Sequence, residues 1–394
     1  MPHTEEHRIE KLTAADYHDL IAFLARAFAK DTPTWFADKL SAIYQPTDDL
    51  MGCNLAVRLD GRIAATVGVY PLALQLGSRL LRVAGVGGVA VDPDYRRQGL
   101  MRLLMRAAVD QIRTSGYDVS YLSGQRQRYR YFGWERAGLR YTARLSPVNL
   151  AHEYAGATPH GLTLAAVSAG DTATLAAVAD LLETQPVRCL RHRATVFHRL
   201  ACWGAVPYAA HDARGRLVGY CALNTPARIG DVYRAVEIVA DSVERFIPLC
   251  RAIVEHAGGP IDLEITPPID DTTRRLLAIA EHWGVQAAGN WQVFDWGRTI
   301  EALLAVRATE CDLAAGNVIV EITGAGRYDV SVGADGPSVV QSDGPPDITL
   351  NATEAVPVLF GPARPSAYAR ITGSAALLEA WCPLPLSLNR QDEV

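Results

Sequence analysis

The stretch VAVDPDYRRQGLM, residues 89–101, decides the fold. It opens with an apolar strand pattern, is stopped by Pro93, and passes through a turn of Arg, Arg, Gln and Gly into a helical pattern. The first N–H groups of a helix lack partners within it and lie at the positive end of its dipole. Gly99 lets a phosphate approach that backbone closely, so the turn predicts an anion-binding site.

The segment after the turn, Leu100–Ile112, has the period of an amphipathic helix. Its apolar face consists of Leu100, Leu104, Ala108 and Ile112. On the charged face, Arg106 and Asp110 are four residues apart, which predicts an ion pair on a solvated surface.

The composition is that of a folded globular protein. Of the 394 residues, 49% are hydrophobic and 21% are charged, which excludes a disordered or fibrous chain. At about 150 residues per domain, this length predicts two or three domains. The net charge of -5 disfavours nucleic acid as a partner.

Signals for membranes, secretion and metals are weak. No run approaches the ~18 apolar residues of a membrane span, and residues 1–10 are polar and charged, unlike a secretory signal. The cysteines number 7 and none forms a Cys-x-x-Cys pair, so we expect reduced thiols and a cytoplasmic location. No His/Cys cluster has metal-ligand spacing, and no metal is expected.

The first block, residues 1–150, mixes helices and strands. A helix is predicted over Leu12–Ala29, with Thr13 and Asp16 at its start. Asp60-Gly61 predicts a hairpin turn between two alternating strands. Further strands are predicted over Val86–Val91, Val119–Leu122 and Leu139–Leu145.

The second block, residues 151–297, repeats this order. Gly215-Arg216 corresponds to Gly61-Arg62, and WGVQAAG at 283–289 corresponds to FGWERAG at 132–138. The offsets of 154 and 151 residues predict a duplicated domain. The third block, residues 298–394, predicts a helix from Thr299, four short strands and two further helices, a small α+β domain.

Two segments of the first block resemble the GNAT superfamily of N-acetyltransferases. Residues 96–101 resemble its acyl-CoA pyrophosphate loop, Arg/Gln-x-x-Gly-x-Gly/Ala, although Met101 replaces the last small residue. Tyr129–Trp134 resembles its Tyr-x-x-x-Gly-Phe element. The resemblance implies a mixed, mostly antiparallel sheet with flanking helices, and acetyl-CoA as co-substrate.

The whole chain resembles the Eis (enhanced intracellular survival) family. That family joins a catalytic acetyltransferase domain, a second such domain without the phosphate loop, and a sterol-carrier-protein-like domain. The resemblance implies a mixed α/β (α+β) fold with tandem acetyltransferase-type domains, and a homo-oligomer, a hexamer. Leu100 and Met101 fit Eis-like loops, which carry large apolar residues there. Pro383–Val394 departs from the family, whose members stop soon after a Trp-containing helix.

The resemblance also assigns an acetyl-CoA site. Val89–Val91 would offer free backbone groups to the pantetheine arm if Gly87 and Gly88 disrupt the strand. The alternative is that these glycines only allow close packing. The full predicted set comprises Val89, Ala90, Val91, Arg96, Arg97, Gln98, Gly99, Leu100, Met101, Gly124 and Gln125.

Acetyl transfer to an amine needs an acid for the departing thiolate and a base for the amine. A phenol, with an ordinary pKa near ~10, is protonated at neutral pH and can act as the acid, and the family resemblance through Phe132-Gly133 favours Tyr129. Tyr131 and Tyr121 compete for this role. The Eis resemblance implies that the terminal carboxylate, here that of Val394 in the acidic tail Asp392-Glu393-Val394, enters the active site as base. A frayed tail is the alternative.

Two further groups of side chains are candidate binding residues. Asp31, Trp35 and Phe36 match the region that lines the Eis substrate pocket, and an aromatic wall beside a carboxylate suits a cationic amine. A loop capped by core aromatics is the alternative. CoA phosphates or partner carboxylates are the expected targets of Arg126, Arg128 and Arg130.

The sequence therefore predicts an acetyl-CoA-dependent N-acetyltransferase that acts on small polycationic amines, such as aminoglycosides. Acetylation of protein or peptide lysines is the alternative within enzymes. A non-catalytic lipid- or ligand-binding protein is the alternative outside them, and the intact turn Arg96–Gly99 argues against it.

Overall fold

The computed structural model describes residues 7–156, 159–225 and 232–394. The strands of these ranges are β1 (Ile9–Lys11), β2 (Asn54–Leu59), β3 (Arg62–Leu76), β4 (Arg79–Val91), β5 (Val119–Leu122), β6 (Glu135–Ala137), β7 (Arg140–Leu145), β8 (Thr163–Ala166), β9 (Val187–Cys189), β10 (Val206–His211), β11 (Leu217–Asn224), β12 (Tyr233–Ala240), β13 (Ile261–Ile265), β14 (His282–Gln286), β15 (Gly289–Val293), β16 (Gly316–Thr323), β17 (Gly326–Gly333), β18 (Gly336–Gln341) and β19 (Ile348–Asn351). The α-helices are α1 (Tyr17–Ala27), α2 (Trp35–Lys39), α3 (Asp48–Met51), α4 (Leu100–Thr114), α5 (Arg126–Tyr129), α6 (Pro147–Glu153), α7 (Thr172–Glu183), α8 (Val196–Leu200), α9 (Val243–Ala257), α10 (Asp271–Ile279), α11 (Trp296–Glu310), α12 (Ala352–Phe360) and α13 (Leu377–Trp381).

The first sheet has the strand order β1-β2-β3-β4-β5-β15-β6, and β9 pairs with β3. Along that order only the β4–β5 pair is parallel. The hairpin predicted at Asp60-Gly61 joins β2 to β3. The next hairpin is longer than the sequence pattern indicates, because β3 continues to Leu76 and β4 already begins at Arg79.

The second sheet has the order β14-β7-β13-β12-β11-β10-β8, and its one parallel pair is β12–β13. Read from β8, this sheet repeats the arrangement of the first: four antiparallel strands, a parallel step, and two closing antiparallel strands. The two sheets therefore share one topology, as a duplicated domain requires.

The two sheets exchange their closing strands, which the sequence pattern does not indicate. The strand predicted to end the first block, β7, lies in the second sheet between β13 and β14. In return β15, from the second block, lies in the first sheet between β5 and β6. Alternation of apolar residues identifies a strand but not the sheet that it joins. The pairing of Arg144 with Asp262, at 2.7 and 2.8 Å, ties β7 to β13.

The first predicted helix begins later than expected, and a tighter turn precedes it. Thr13 donates its backbone N–H to the Asp16 carboxylate at 2.8 Å, which caps a single 3₁₀ turn over residues 14–16. The α-helix proper then runs over Tyr17–Ala27 and buries Leu20, Phe23 and Leu24 against the first sheet's core.

The C-terminal part contains a four-stranded sheet of order β18-β17-β16-β19 with helices α11, α12 and α13. The chain beyond α13 buries Leu384, Leu386 and Leu388 in the same apolar core. The backbone N–H of Leu139 donates to the carbonyl of Leu386 at 2.8 Å, and Ser387 Oγ donates to the Leu139 carbonyl at 2.8 Å. The segment after Trp381 is thus fixed along the strand-exchange region.

Candidate active site

A cavity of about 1640 Å³ opens between the end of β4 and the start of α4, and we call it the first cleft. Its lining contains nine of the eleven residues predicted to bind the cofactor: Val89, Ala90, Val91, Arg96, Arg97, Gln98, Gly99, Leu100 and Met101. The turn predicted to bind an anion and the strand segment Val89–Val91 therefore line the same cavity.

The cleft exists because β4 leaves its neighbour β5. Their ladder ends at the pair Val86–Leu122, whereas β4 continues to Val91. On the other edge of β4 the register with β3 shifts, and Gly88 lies in the left-handed region with φ 59°. Thr66 Oγ1 donates to the Gly88 carbonyl at 2.8 Å and holds this bulge. The glycines thus disrupt the strand, and the backbone of Val89–Val91 lies beyond the β5 ladder.

The turn after β4 is built for close approach to its backbone. Arg97 has φ 67° and Gly99 has φ 80°, both in the left-handed region. A Cβ atom placed on Gly99 would meet no atom within 4 Å, so the space beside it is open. Gly99 is the N-cap of α4, whose 15 residues present their first N–H groups to the cleft.

Two arginines of α4, Arg102 and Arg106, are solvent-exposed and also line the cleft, as does Asp110. The ion pair predicted between Arg106 and Asp110 is wrong, because Asp110 pairs with Arg113 at 3.4 Å. An i,i+3 neighbour is as close on a helix as an i,i+4 neighbour. Arg106 thereby adds positive charge beside the turn.

The three alternating arginines before Phe132 separate into two roles. Arg126 and Arg130 both form ion pairs with Glu135, the latter at 3.0 Å, and Glu135 is buried. Arg128 lines the first cleft. The carboxylate alternative therefore holds for Arg126 and Arg130, and of the three only Arg128 is placed in the lining of the first cleft.

Gly124 and Gln125 differ from the other predicted cofactor residues, since the structure does not bring them into the lining of the first cleft. Gly124, at φ 107°, faces the ring of Tyr129, which would lie 3.1 Å from a Cβ at this position. Asn290 Nδ2 donates to the Gly124 carbonyl at 3.1 Å and to the Leu122 carbonyl at 3.0 Å. Strand β15 of the second block therefore supports the turn against which Tyr129 packs.

The three tyrosines considered as acids lie in different surroundings. Tyr129 is buried and is not among the residues that line the first cleft. Burial raises its pKa, an effect opposed by the nearby Arg128 cation. Tyr131 is 89% exposed at the rim of the first cleft. Tyr121 is fully buried, packs on Trp291 at 5.1 Å between ring centres, and contacts Glu393; burial raises its pKa well above the ordinary value.

The last residue, Val394, lies against the strand that forms the cleft. A Cβ atom on Gly87 would be 2.9 Å from the Val394 carboxyl carbon, and one on Gly85 would be 2.8 Å from a Val394 methyl group. Val394 is only 4% exposed, so the tail is not frayed. Gly85 and Gly87 have no side chains, which leaves room for the chain end where β4 parts from β5.

The three residues predicted to bind the acceptor amine lie in different surroundings. Phe36 is buried between Phe28 and Tyr44, at centroid distances of 5.2 and 6.0 Å, as the core alternative expects. Trp35 is half-buried, with Lys30 Nζ 4.0 Å from its ring centre, and Asp31 is exposed. Ala27 and Phe28, rather than Asp31, Trp35 or Phe36, represent this region in the described lining of the first cleft.

Two aromatic residues near the chain end carry no sequence signal. Tyr44 and Tyr70 are buried with ring centres 6.1 Å apart, in the same apolar cluster as Val394. The Tyr44 hydroxyl would lie 2.9 Å from a Cβ on Gly88, and the Tyr70 hydroxyl donates to Asn54 Oδ1 at 2.9 Å. Burial raises the pKa of Tyr44 to about 12. Both come from segments without a motif.

Over the described ranges, no group of three or more His, Cys, Asp and Glu side chains is placed to hold a metal ion. Within the same ranges, no helix has the length and apolar character needed to cross a membrane.

Comparison with known proteins bears on the first sheet and on the whole fold. The family model of the acetyltransferase (GNAT) domain matches residues 8–137. No curated protein matches the chain. A GCN5-related N-acetyltransferase from Kribbella flavida is 20% identical, with a TM-score of 0.67 over 99% of this chain and 100% of that one. Eis1 from Mycobacterium abscessus is 19% identical, with a TM-score of 0.65 over 98% and 100% of the two chains.

A third solved structure, a GCN5-related N-acetyltransferase from Anabaena variabilis, has a TM-score of 0.68 at 16% identity over 98% of both chains. At these identities the solved structures share the fold of this chain. The domain match is independent of them, and it contains both the β4–α4 turn and Tyr129.

Proposed function

Because residues 8–137 form a GNAT acetyltransferase domain in an Eis-like fold, the chain is an N-acetyltransferase, and we propose that it transfers acetyl from acetyl-CoA directly to amino groups of small polycationic acceptors. The observation that carries this proposal is the burial of Val394 against Gly87, where β4 separates from β5. An anionic chain end at that position suits an ammonium substrate and offers a base for it.

The charge of the first cleft supports acetyl-CoA as its ligand. The N–H groups that begin α4 adjoin the open space beside Gly99, and Arg96, Arg97, Arg102 and Arg106 line the same cleft, a set of donors that suits a pyrophosphate. The free backbone of Val89–Val91 would pair with the pantetheine arm as a missing strand does. We assign Gly124 and Gln125 a supporting position behind Tyr129.

The proposed chemistry divides proton transfer between two groups. The Val394 carboxylate takes a proton from the acceptor ammonium, and the free amine nitrogen attacks the thioester carbonyl carbon. Backbone N–H groups of Val89–Val91 stabilise the developing oxyanion. Tyr129 then gives its phenolic proton to the sulfur as the C–S bond breaks. The acylated nitrogen loses its second proton, which restores the phenol, and the Val394 carboxyl group returns the first proton to solvent, so the products are an N-acetylated amine and CoA.

The aromatic surroundings of the chain end favour cationic acceptors. Lys30 already places an ammonium 4.0 Å from the Trp35 ring centre, so this wall accommodates a cation. We propose that Asp31 and Trp35 bind the distal ammonium groups of the acceptor, and that buried Phe36 supports Trp35, 5.0 Å away between ring centres.

Substitution of Gly99 tests the cofactor part of the proposal. Gly99→Asp puts a carboxylate where the phosphates are expected, so the affinity for acetyl-CoA should fall by about tenfold to a hundredfold, a loss of about 1.4–2.8 kcal/mol. Gly99→Asn has the same size and a similar tolerance for left-handed backbone, and it should retain most of the affinity. Calorimetric titration of both folded variants measures this; equal loss in both would contradict the phosphate assignment.

The second sheet should bind no acetyl-CoA. Its corresponding junction, from β12 to α9, carries Glu237 and Asp241 and lacks a glycine at the helix start, where Ser242 is the N-cap. Carboxylates repel phosphates, so we expect one acetyl-CoA per chain. A calorimetric stoichiometry of two per chain would contradict this expectation.

An acceptor panel tests the proposed function as a whole. Thiol release from acetyl-CoA is measured with aminoglycosides, linear polyamines and lysine-containing peptides, each product being identified by mass spectrometry. We expect turnover with the small polycations. Turnover with the peptides alone would favour lysine acetylation, and CoA binding without any acetylated product would favour a non-catalytic binding protein.

Three properties remain predictions: the hexameric homo-oligomer and the sterol-carrier-protein-like fold of residues 298–394, which the Eis resemblance implies, and the cytoplasmic location, which the cysteine pattern implies. Sedimentation velocity measures the first of these directly.

A further inference from the structure

The last four residues of the chain are buried, although three of them are polar or charged. Gln391, Asp392 and Glu393 are 0%, 1% and 8% exposed, and Val394 is 4% exposed. Burial of charged groups is costly unless each is paired and hydrogen-bonded. The partners of these side chains therefore explain why the tail takes one path.

Asp392 is held by the guanidinium of Arg191. Nε donates to Asp392 Oδ1 at 2.7 Å and Nη2 donates to Oδ2 at 2.8 Å. The same guanidinium contacts Glu237 at 2.8 and 2.7 Å, and the Tyr220 hydroxyl donates to Glu237 Oε1 at 2.7 Å. Arg191 is thus a buried cation between two carboxylates, with a side chain 3% exposed.

The neighbouring tail residues are held in the same way. Glu393 forms an ion pair with buried Arg140. Arg390 Nε donates to Glu264 Oε2 at 2.9 Å, and Glu264 also lies 3.8 Å from Arg140. Gln391 Nε2 donates to the backbone carbonyl of Leu200 at 2.6 Å. Each of the residues 390–393 therefore has a polar partner outside the tail.

Most of these partners belong to the second sheet. Arg140 is in β7, Tyr220 in β11, Glu237 in β12 and Glu264 in β13, while Arg191 follows β9. Arg191, Glu237 and Glu264 line a cavity of about 500 Å³ that Asp392 also lines, and we call it the second cleft. The ladder between β12 and β13 ends at the pair Ala235–Leu263, whereas β12 continues to Ala240. The second cleft opens at this separation of the strands and is therefore the counterpart of the first cleft.

We propose that the second sheet fixes the position of the C-terminal tail, with Arg191 and Arg140 as positioning residues for the Val394 carboxylate. The expected effect on catalysis rests on the proposed function, whereas the binding of the tail by the second sheet does not. Carboxylates line the second cleft, among them those of Glu237, Asp241, Glu264 and Asp392, and they would repel the phosphates of a cofactor. Paired buried charges specify one geometry because any other arrangement leaves a charge unpaired, which fixes the chain end at Gly87.

Asp392→Ala tests this inference without a buried unpaired charge. Arg191 keeps its two bonds to Glu237, so the remaining pair is neutral and the fold should persist. Asp262→Ala is the matched control: it removes the carboxylate of another two-bond pair in the same sheet, with Arg144, that does not touch the tail. The Arg144–Asp262 pair is more exposed than the Arg191–Asp392 pair, so thermal unfolding of both variants serves to check that each remains folded.

The first readout is digestion of the folded protein by carboxypeptidase Y, followed by intact mass spectrometry. We expect Val394 to be released about tenfold faster from Asp392→Ala than from the wild type or Asp262→Ala, because the tail is freed. The second readout is kinetic: kcat should fall on the order of tenfold to a hundredfold while the Kd for acetyl-CoA is unchanged, since a displaced base affects the reaction and not the cofactor.

Equal protection of Val394 in Asp392→Ala and the wild type would overturn the inference. Faster release of Val394 together with a fall in kcat supports both the positioning of the tail by the second sheet and the role of the Val394 carboxylate as base. Faster release of Val394 with unchanged kcat supports the positioning of the tail and removes the carboxylate from the proposed mechanism.

Discussion

Tyr129→Phe should lower kcat by about 10²- to 10⁴-fold, the contribution of a general acid, or about 2.7–5.4 kcal/mol of transition-state stabilisation. The substitution keeps the ring that packs against Gly124 and removes only the proton donor. Burial raises the pKa of Tyr129, so the wild-type phenol stays protonated across the neutral range and its loss is felt throughout it. Steady-state kinetics with a fixed amine measures the change.

Tyr131→Phe is the matched control, because it is the same substitution two residues away on an exposed ring. It should leave kcat within about twofold, and acetyl-CoA affinity should be unchanged in both variants. A fully active Tyr129→Phe would remove this residue as the acid, and a large loss in Tyr131→Phe would transfer the role to Tyr131.

Extension of the chain beyond Val394 should lower kcat by a similar factor, about 10²- to 10⁴-fold. A peptide bond at Val394 replaces its carboxylate with a neutral amide, and the carboxyl carbon lies so close to Gly87 that added residues must displace the tail. Deletion of residues 392–394 should have the same effect, because it also removes the Asp392 anchor.

The matched control is the same extension placed at the N-terminus. It adds the same residues and leaves the tail intact, so it should keep full activity. Equal activity of the two tagged proteins would show that another carboxylate or a water chain takes the amine proton.

Much of the first sheet follows from local sequence pattern. The strand β5 has the predicted bounds, and α4 begins at the predicted Leu100, because a stop at Pro93 and a helical period from Leu100 are local signals. The partner of a strand is not local. The exchange of β7 and β15 depends on contacts such as Arg144 with Asp262, which are more than a hundred residues apart.

The candidate site likewise combines residues that local sequence signals predict with residues that only tertiary contacts bring together. The turn Arg96–Gly99 could be located from sequence because consecutive residues form it. The ion pair predicted for Arg106 is wrong because helical spacing does not tell which neighbour Asp110 pairs with, and it pairs with Arg113. The positions of Tyr44 and Tyr70 could not be predicted, since they meet β4 through tertiary packing. The chain end also reaches β4 through tertiary packing, and only the family resemblance indicates its position.

The central claim is direct transfer of acetyl from acetyl-CoA in the first cleft to an amine. A single-turnover experiment tests it most directly: excess enzyme is mixed with labelled acetyl-CoA and a polyamine, and quenched samples are resolved into protein, amine and CoA. The account predicts one N-acetylated amine for each CoA released, with no acetylated protein at any time, and a rate that falls in Tyr129→Phe. Label that accumulates on the protein before the amine, or CoA released without an acetylated amine, would contradict it.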